Sequence, residues 1–138
     1  VLPGVGKAGF TLGEDEIEID MGIHNEPGLE RTTMKRADEL AKILLDRVLE
    51  DYDYSGSEVA VMVNGLGGTP LMELYILYNE VEKILSRQGI TVYRSLVGNF
   101  MTSLEMPGCS LSLLKLDSEM KELLDAPCST LGWTQFHV

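Results

Sequence analysis

Residues 58–64, "EVAVMVN", form a short β-branched apolar run that leads directly into the glycine-rich turn "GLGGTP". A run of this kind is typical of a strand that is buried on both faces of a sheet. Pro70 suits the first position of a helix and Thr69 suits the cap before it, so a helix is predicted through residues 71–88 until Gly89. Strand, turn and helix together predict half of a crossover unit.

A hairpin is predicted near the start of the chain. Residues 10–12 ("FTL") and 16–20 ("EIEID") surround the acidic turn at residues 13–15. Ile17 and Ile19 alternate with acidic residues, which is typical of a strand with one buried face. We therefore expect residues 10–12 to pair with residues 16–20.

A long amphipathic helix is predicted next, in residues 32–53, "TTMKRADELAKILLDRVLEDYD". Thr32 or Thr33 is available as its N-cap. The apolar residues that recur at three- and four-residue steps are Met34, Ala37, Leu40, Ala41, Leu44, Val48 and Leu49. This spacing indicates that one face of the helix packs and the other is solvated.

The second half of the chain predicts two more strands, at residues 90–100 and 109–116, and a short helix over residues 117–126 that opens at Asp117 or Ser118. The whole order is hairpin, helix, strand, helix, strands, helix. It predicts an α/β (α+β) unit of two layers, in which helices pack on a mixed β-sheet.

Length and charge restrict the class of protein. A chain of 138 residues has the size of one domain, and its formal charge of −11 disfavours binding to nucleic acid. No apolar run approaches the roughly 20 residues that cross a bilayer, so we expect a soluble protein that makes no membrane contact. Without an initiator methionine or a signal peptide, "VLPGVGKAGF" suggests a piece of a longer protein.

Cysteines and glycine motifs do not indicate a cofactor. Cys109 and Cys128 lack the paired spacing of a zinc site and are interpreted as reduced thiols without a chemical role. "GVGKAG" fails the phosphate-loop pattern, and "NGLGGTP" has Pro70 where the dinucleotide pattern requires glycine. The second cluster is interpreted as a turn that needs positive φ or the close approach of another segment; contact of its amides with a ligand stays open.

His24 is one of two histidines and follows the end of a predicted strand, in "MGIHNEPG". Gly22 and the Pro27-Gly28 pair restrict the loop around it. Such a side chain can be a nucleophile, a base, a metal ligand or a surface residue. Metal binding is disfavoured, because Glu26 is two residues away on a loop and His137 is remote in sequence, and no nucleophile-elbow pattern is present.

Three separated stretches carry a family resemblance: "FTLGEDEIEIDMGIHNEPG", "VNGLGGTPLMELYIL" and "SLEMPGCSLSLLKLDSEMKELLDAPCSTLGW". In this order they resemble the second half of the substrate-binding (K) subunit of dihydroxyacetone kinase. The similarity runs from Pro3 to about Trp133. It implies that residues 1–138 are the C-terminal domain of such a subunit, without its N-terminal domain.

The resemblance implies a chemistry for His24, which falls on the family's M-G-I-H-G-E-P-G histidine. That histidine attacks the carbonyl carbon of dihydroxyacetone and holds it as a covalent hemiaminal. A separate nucleotide-binding (L) subunit holds the phosphate donor, ADP or ATP with magnesium, so no cofactor is expected in this chain. A homodimer, a cytoplasmic location and a phosphotransferase-system donor are expected, with an ATP-dependent fused form as the alternative donor type.

Two residues depart from the family motif, and one alternative function is open. Asn25 replaces the usual glycine after the histidine, and Asp20 replaces a common small residue and adds negative charge near the ring. Glu26 is a hypothetical orienter of the ring or the loop. The alternative function is a non-catalytic paralogue that senses dihydroxyacetone and acts as a transcriptional co-activator.

Overall fold

The computed structural model describes residues 4–23 and 26–136. It divides into two compact units, one that runs to Arg36 and one that begins at Ala37.

The first unit is a β-hairpin. Strand β1 (Glu16–Ile19) pairs antiparallel with β2 (Glu30–Thr33), so that Glu18 lies opposite Arg31. The pairing of residues 10–12 with this strand was wrong, because these residues lie outside any strand and the partner is "ERTT". The acidic segment 13–15 does turn, closed by the Glu16 N–H on the Gly13 carbonyl at 3.2 Å. The true hairpin connection is therefore the histidine-bearing segment.

The second unit contains a mixed sheet with helices. Its elements are α1 (Ala37–Glu50), β3 (Glu58–Gly65), α2 (Leu71–Arg87), β4 (Thr91–Gly98), β5 (Cys109–Leu116), α3 (Ser118–Asp125), β6 (Cys128–Ser129) and β7 (Thr134–Gln135). The main sheet has the order β4-β3-β5, with β3 parallel to β4 and antiparallel to β5. The predicted α/β class with a mixed sheet is confirmed; the terminal β6–β7 hairpin was not predicted.

The core of this unit lies between β3 and the two long helices. Val59, Val61 and Val63 are fully buried, and α1 contributes Ala41 and Leu45. The α2 side chains in the same cluster are Leu74, Leu77, Val81 and Leu85. Burying one valine or leucine stabilises a fold by about 1.5–3 kcal/mol. The predicted packing face of α1 is right for Ala41 but missed Leu45, which is fully buried, and wrongly included Met34, which is exposed and precedes the helix.

Helix starts were harder to predict. Thr32 and Thr33 belong to β2, and α1 begins only at Ala37, so neither threonine is its N-cap. For α2 the N-cap is Pro70, with no side-chain capping bond. The hydroxyl of Thr69 instead donates to the Gly108 carbonyl at 3.0 Å and accepts from the Gly108 N–H at 2.8 Å.

Polar contacts attach α3 to strand β4. Asp117 is its N-cap, as predicted, and accepts from the Met120 N–H at 2.8 Å. Arg94 of β4 donates to Asp125 at 3.0 Å, and the Tyr93 hydroxyl donates to the same carboxylate. This bond to Asp125 raises the pKa of Tyr93 above its ordinary value, since it favours the protonated phenol.

Asn64, at the carboxyl end of β3, is a buried polar side chain with 2% exposure. Its Oδ1 accepts from the Phe100 and Met101 N–H groups at 2.8 and 2.9 Å. Its Nδ2 donates to the Met101 carbonyl at 2.7 Å and to the Ser110 hydroxyl at 3.2 Å. One amide thus holds the start of the segment that connects β4 to β5.

Neither cysteine is in a disulfide, which agrees with the interpretation as free thiols. Cys128 is exposed, whereas burial raises the pKa of the Cys109 thiol. Within the described ranges, no helix is long and apolar enough to span a bilayer.

We expect Asn64→Leu to lower the free energy of unfolding by about 3 kcal/mol, because the Phe100 and Met101 N–H groups lose the buried oxygen that accepts from them. Urea denaturation followed by circular dichroism measures this. Ser110→Ala, which removes only the 3.2 Å bond, is the control and should cost less than about 1 kcal/mol. Equal losses in the two variants would contradict the role given to Asn64.

The two thiols should differ in reactivity. At pH 8 we expect Cys128 to react with a disulfide reagent roughly tenfold faster than Cys109, because the raised pKa of Cys109 leaves less thiolate. Spectrophotometric thiol titration measures both phases, and Cys128→Ser should remove only the fast one. A fast phase that survives in Cys128→Ser would contradict the assignment.

Candidate functional site

The candidate site is the loop of residues 20–29, which connects β1 to β2 and is called the histidine loop below. His24, the only site residue predicted from the sequence, lies outside the described residues, as does Asn25. The described residues on both sides of them define how the loop is held. The strand ladder brings its ends together, since Ile19 pairs with Glu30.

The loop leaves β1 through an unusual backbone conformation. Asp20 has a φ of 63°, in the left-handed region that few side chains other than asparagine and aspartate adopt readily. Aspartate therefore suits the backbone path by which the loop leaves β1.

Two glycines let parts of the loop approach closely. The Gly22 N–H donates to the Glu26 carbonyl at 3.3 Å, and a Cβ on Gly22 would clash with the Glu26 side chain. A Cβ on Gly28 would clash with Glu18 and with the Ile19 carbonyl. Glycine is thus required at both places by space, independently of backbone angle.

A carboxylate that sequence reasoning missed lies at the base of the loop. Glu18 Oε1 accepts from the Gly28 N–H at 2.6 Å, and Glu18 Oε2 lies 3.1 Å from Arg31 Nη2. The Glu18 side chain is only 7% exposed, although strand alternation predicted it on the polar face. Arg31, thirteen positions later in the chain, could be recognised as its partner only once the true strand pairing was known.

The glycine turn at residues 65–70 has the structural role that was predicted for it. Gly67 has a φ of 102°, and a Cβ there would clash with the Ser103 carbonyl. The Gly68 N–H donates to the Met106 carbonyl at 3.0 Å, and the Leu66 N–H donates to the Gly108 carbonyl at 3.1 Å. These two amides are engaged within the chain, which argues against the open alternative that they hold a ligand.

The described residues hold no cluster of metal ligands. Over residues 4–23 and 26–136, no three side chains of histidine, cysteine, aspartate or glutamate converge as metal ligands. The described part of the site is therefore a loop with a defined backbone path. The Glu18 carboxylate lies at its base and the Glu26 carboxylate lies against Gly22.

Comparison with known proteins gives the family. The model of the Dak1 domain matches residues 1–132. A dihydroxyacetone-binding subunit DhaK from Listeria innocua, of "PTS-dependent dihydroxyacetone kinase 2", is 45% identical over 130 residues, which are 94% of this chain and 39% of that protein. The chain thus spans about two fifths of the length of this curated relative.

Solved structures agree with this comparison. The "Dihydroxyacetone kinase operon co-activator Dha-DhaQ" has a TM-score of 0.88 at 32% identity, over 97% of this chain and 42% of that one. The dihydroxyacetone kinase of C. freundii has a TM-score of 0.77 at 28% identity, over 97% of this chain and 24% of that one. With the family model matching nearly the whole sequence, the resemblance is confirmed: the chain belongs to the Dak1 domain family.

Proposed function

We propose that this chain is part of the dihydroxyacetone-binding subunit of a dihydroxyacetone kinase, and that His24 holds the substrate as a covalent hemiaminal. The observation that carries the proposal is the construction of the histidine loop. Its ends are joined by the β1–β2 ladder, and its interior is bonded from Gly28 to Glu18 and from Gly22 to Glu26. A loop fixed in this way can present one side chain reproducibly.

The chemistry requires an uncharged imidazole. The unprotonated ring nitrogen of His24 forms a bond to the carbonyl carbon, and the carbonyl π electrons move to oxygen. The oxygen takes up a proton, and the other ring nitrogen, which now carries the positive charge, gives up its proton. The product is a hemiaminal with no loss of atoms. Glycerol has no carbonyl group, so it cannot react, and covalent capture separates two molecules that shape alone would separate poorly.

Phosphoryl transfer is assigned to a partner. The name of the Listeria innocua relative describes a binding subunit of a kinase that depends on the phosphotransferase system. By analogy, we propose that a nucleotide-binding subunit brings the donor, ADP or ATP with magnesium, to the captured ketone. A homodimeric cytoplasmic subunit is part of the same proposal, and the fragment alone is expected to be inactive as a kinase.

A second candidate function is a dihydroxyacetone sensor that acts as a co-activator. It is supported by one observation: the co-activator structure superposes with a TM-score of 0.88, above the 0.77 of the C. freundii kinase. Both candidates use the same capture by His24. They differ in whether the captured ketone is phosphorylated.

In the full-length protein, His24→Ala should abolish a dihydroxyacetone adduct that native mass spectrometry detects in the parent, because no other nucleophile is assigned to the loop. His137→Ala is the matched control and should keep the adduct. Glycerol should give no adduct with either protein. An adduct that persists in His24→Ala would contradict the proposed function.

The kinase and sensor candidates predict different outcomes when the nucleotide-binding subunit is added. For a kinase, dihydroxyacetone phosphate should form from the phosphorylated donor system and depend on His24, as measured by a coupled assay. For a sensor, the adduct should form without phosphate transfer, which would overturn the kinase assignment and leave capture intact.

Glu26→Gln tests the hypothesis that this carboxylate orients the loop or the ring. The Glu26 side chain lies against Gly22, so loss of its charge should weaken hemiaminal formation by roughly three- to tenfold. Dihydroxyacetone titration measures the change, with Glu14→Gln outside the loop as control. Unchanged capture would remove Glu26 from the mechanism.

A further inference from the structure

We infer that Glu18 is a positioning residue, whose carboxylate fixes the histidine loop in the conformation that captures a small ketone. This inference rests on the proposed role of His24. Glu18 itself is not expected to touch the substrate. Its action passes through the backbone of Gly28.

The first observation is the burial of a charged group. The Glu18 side chain is 7% exposed, and no hydrogen bond from the described residues reaches its Oε2 atom. Arg31, directly opposite in the strand ladder, places Nη2 3.1 Å from that oxygen and offsets part of the charge. Burying a carboxylate costs free energy when one of its oxygens has an ion pair but no hydrogen bond. The stability of the strand pair alone therefore does not explain why Glu18 is buried.

The second observation is where the other oxygen is used. Oε1 accepts from the Gly28 N–H at 2.6 Å, a short charge-assisted bond to the far side of the loop. The next residue, Leu29, donates its N–H to the Ile19 carbonyl at 3.0 Å. Two consecutive residues of the returning segment are thus tied to the end of β1, four and five positions after His24.

Space around Gly28 supports the same reading. A Cβ at residue 28 would clash with Glu18 Cγ and with the Ile19 carbonyl, so the glycine is what allows the carboxylate to reach the backbone. Gly28 is not among the glycines with positive φ. An alanine at this position would therefore disturb the contact with Glu18 and press on the Ile19 carbonyl, with no left-handed φ as a further cost.

Glu16 is a natural contrast on the same strand. It lies two residues earlier on the same side of β1, and its Oε2 is 4.0 Å from the same Arg31. Its side chain is 38% exposed, and it accepts from the Gly13 N–H, away from the histidine loop. Of these two carboxylates, Glu18 is the one that bonds to the loop.

The expected effect follows from a population argument. Without the carboxylate, the returning segment moves more freely, and a smaller fraction of molecules present His24 correctly. The apparent affinity falls by that fraction, while the adduct formed at saturating ketone is unchanged. If Glu18 is a positioning residue, its removal therefore raises the dihydroxyacetone concentration for half-saturation and leaves the maximum amount of adduct unchanged.

The test uses the full-length protein and titration with dihydroxyacetone, with the adduct measured by native mass spectrometry. Glu18→Ala should raise the half-saturating concentration at least tenfold with the same final stoichiometry, and Gly28→Ala should do the same. Glu18→Gln should stay within threefold of the parent, because its amide oxygen still accepts from Gly28. Glu16→Gln should match the parent, and only the first two variants should speed amide hydrogen exchange at residue 28.

Several results would overturn the inference. These are a half-saturating concentration within twofold of the parent in Glu18→Ala, a Glu18→Gln variant as impaired as Glu18→Ala, or an equal defect in Glu16→Gln. If Glu18→Ala does not fold, Gly28→Ala and Glu18→Gln decide the matter by the same criteria. An adduct that survives His24→Ala contradicts the proposed function instead, and exchange at residue 28 then decides whether Glu18 holds the loop.

Discussion

The burial of β3 is the constraint on which the second unit depends. A strand whose valines at 59, 61 and 63 have no exposure needs a neighbour on each side and helices over its face. Helix α2 supplies the parallel neighbour through a crossover, and β5 returns antiparallel on the other side. The connections must then meet at the carboxyl end of β3, where Asn64 and the glycine turn receive the segment that leads to β5.

Local sequence patterns correctly predicted those helix bounds and caps that depend on neighbouring residues. Residues 71–88 were expected as a helix, and the structure has α2 at Leu71–Arg87, because the proline before it and the glycine after it act within a few residues. Asp117 as an N-cap belongs to the same class. The prediction of Thr69 as the N-cap of α2 was wrong, because its hydroxyl bonds to Gly108, 39 residues away. No local sequence pattern reveals such a partner.

The candidate site shows the same division. Gly22, Pro27 and Gly28 indicated a restricted loop around His24, and the structure gives steric reasons for both glycines. The partner strand was missed because "FTL" is closer in sequence and more apolar than "ERTT". The same error prevented the prediction that Glu18 is buried. An acidic residue in an alternating strand is ordinarily solvated, and burial is expected only if a partner such as Arg31 is known to lie opposite.

Because side chains alternate along a strand, the register of β1 against β2 decides which side chains face Gly28. A shift of β1 by one residue against β2 would bring an isoleucine over Gly28 and turn both carboxylates to the opposite side. Changes of length within this hairpin are therefore restricted to those that keep Glu18 across from Arg31. The turn at Gly56 lies outside this hairpin, and an added Cβ there would meet no atom of the described residues within 4 Å, so this turn is the better place to insert a tag or a label.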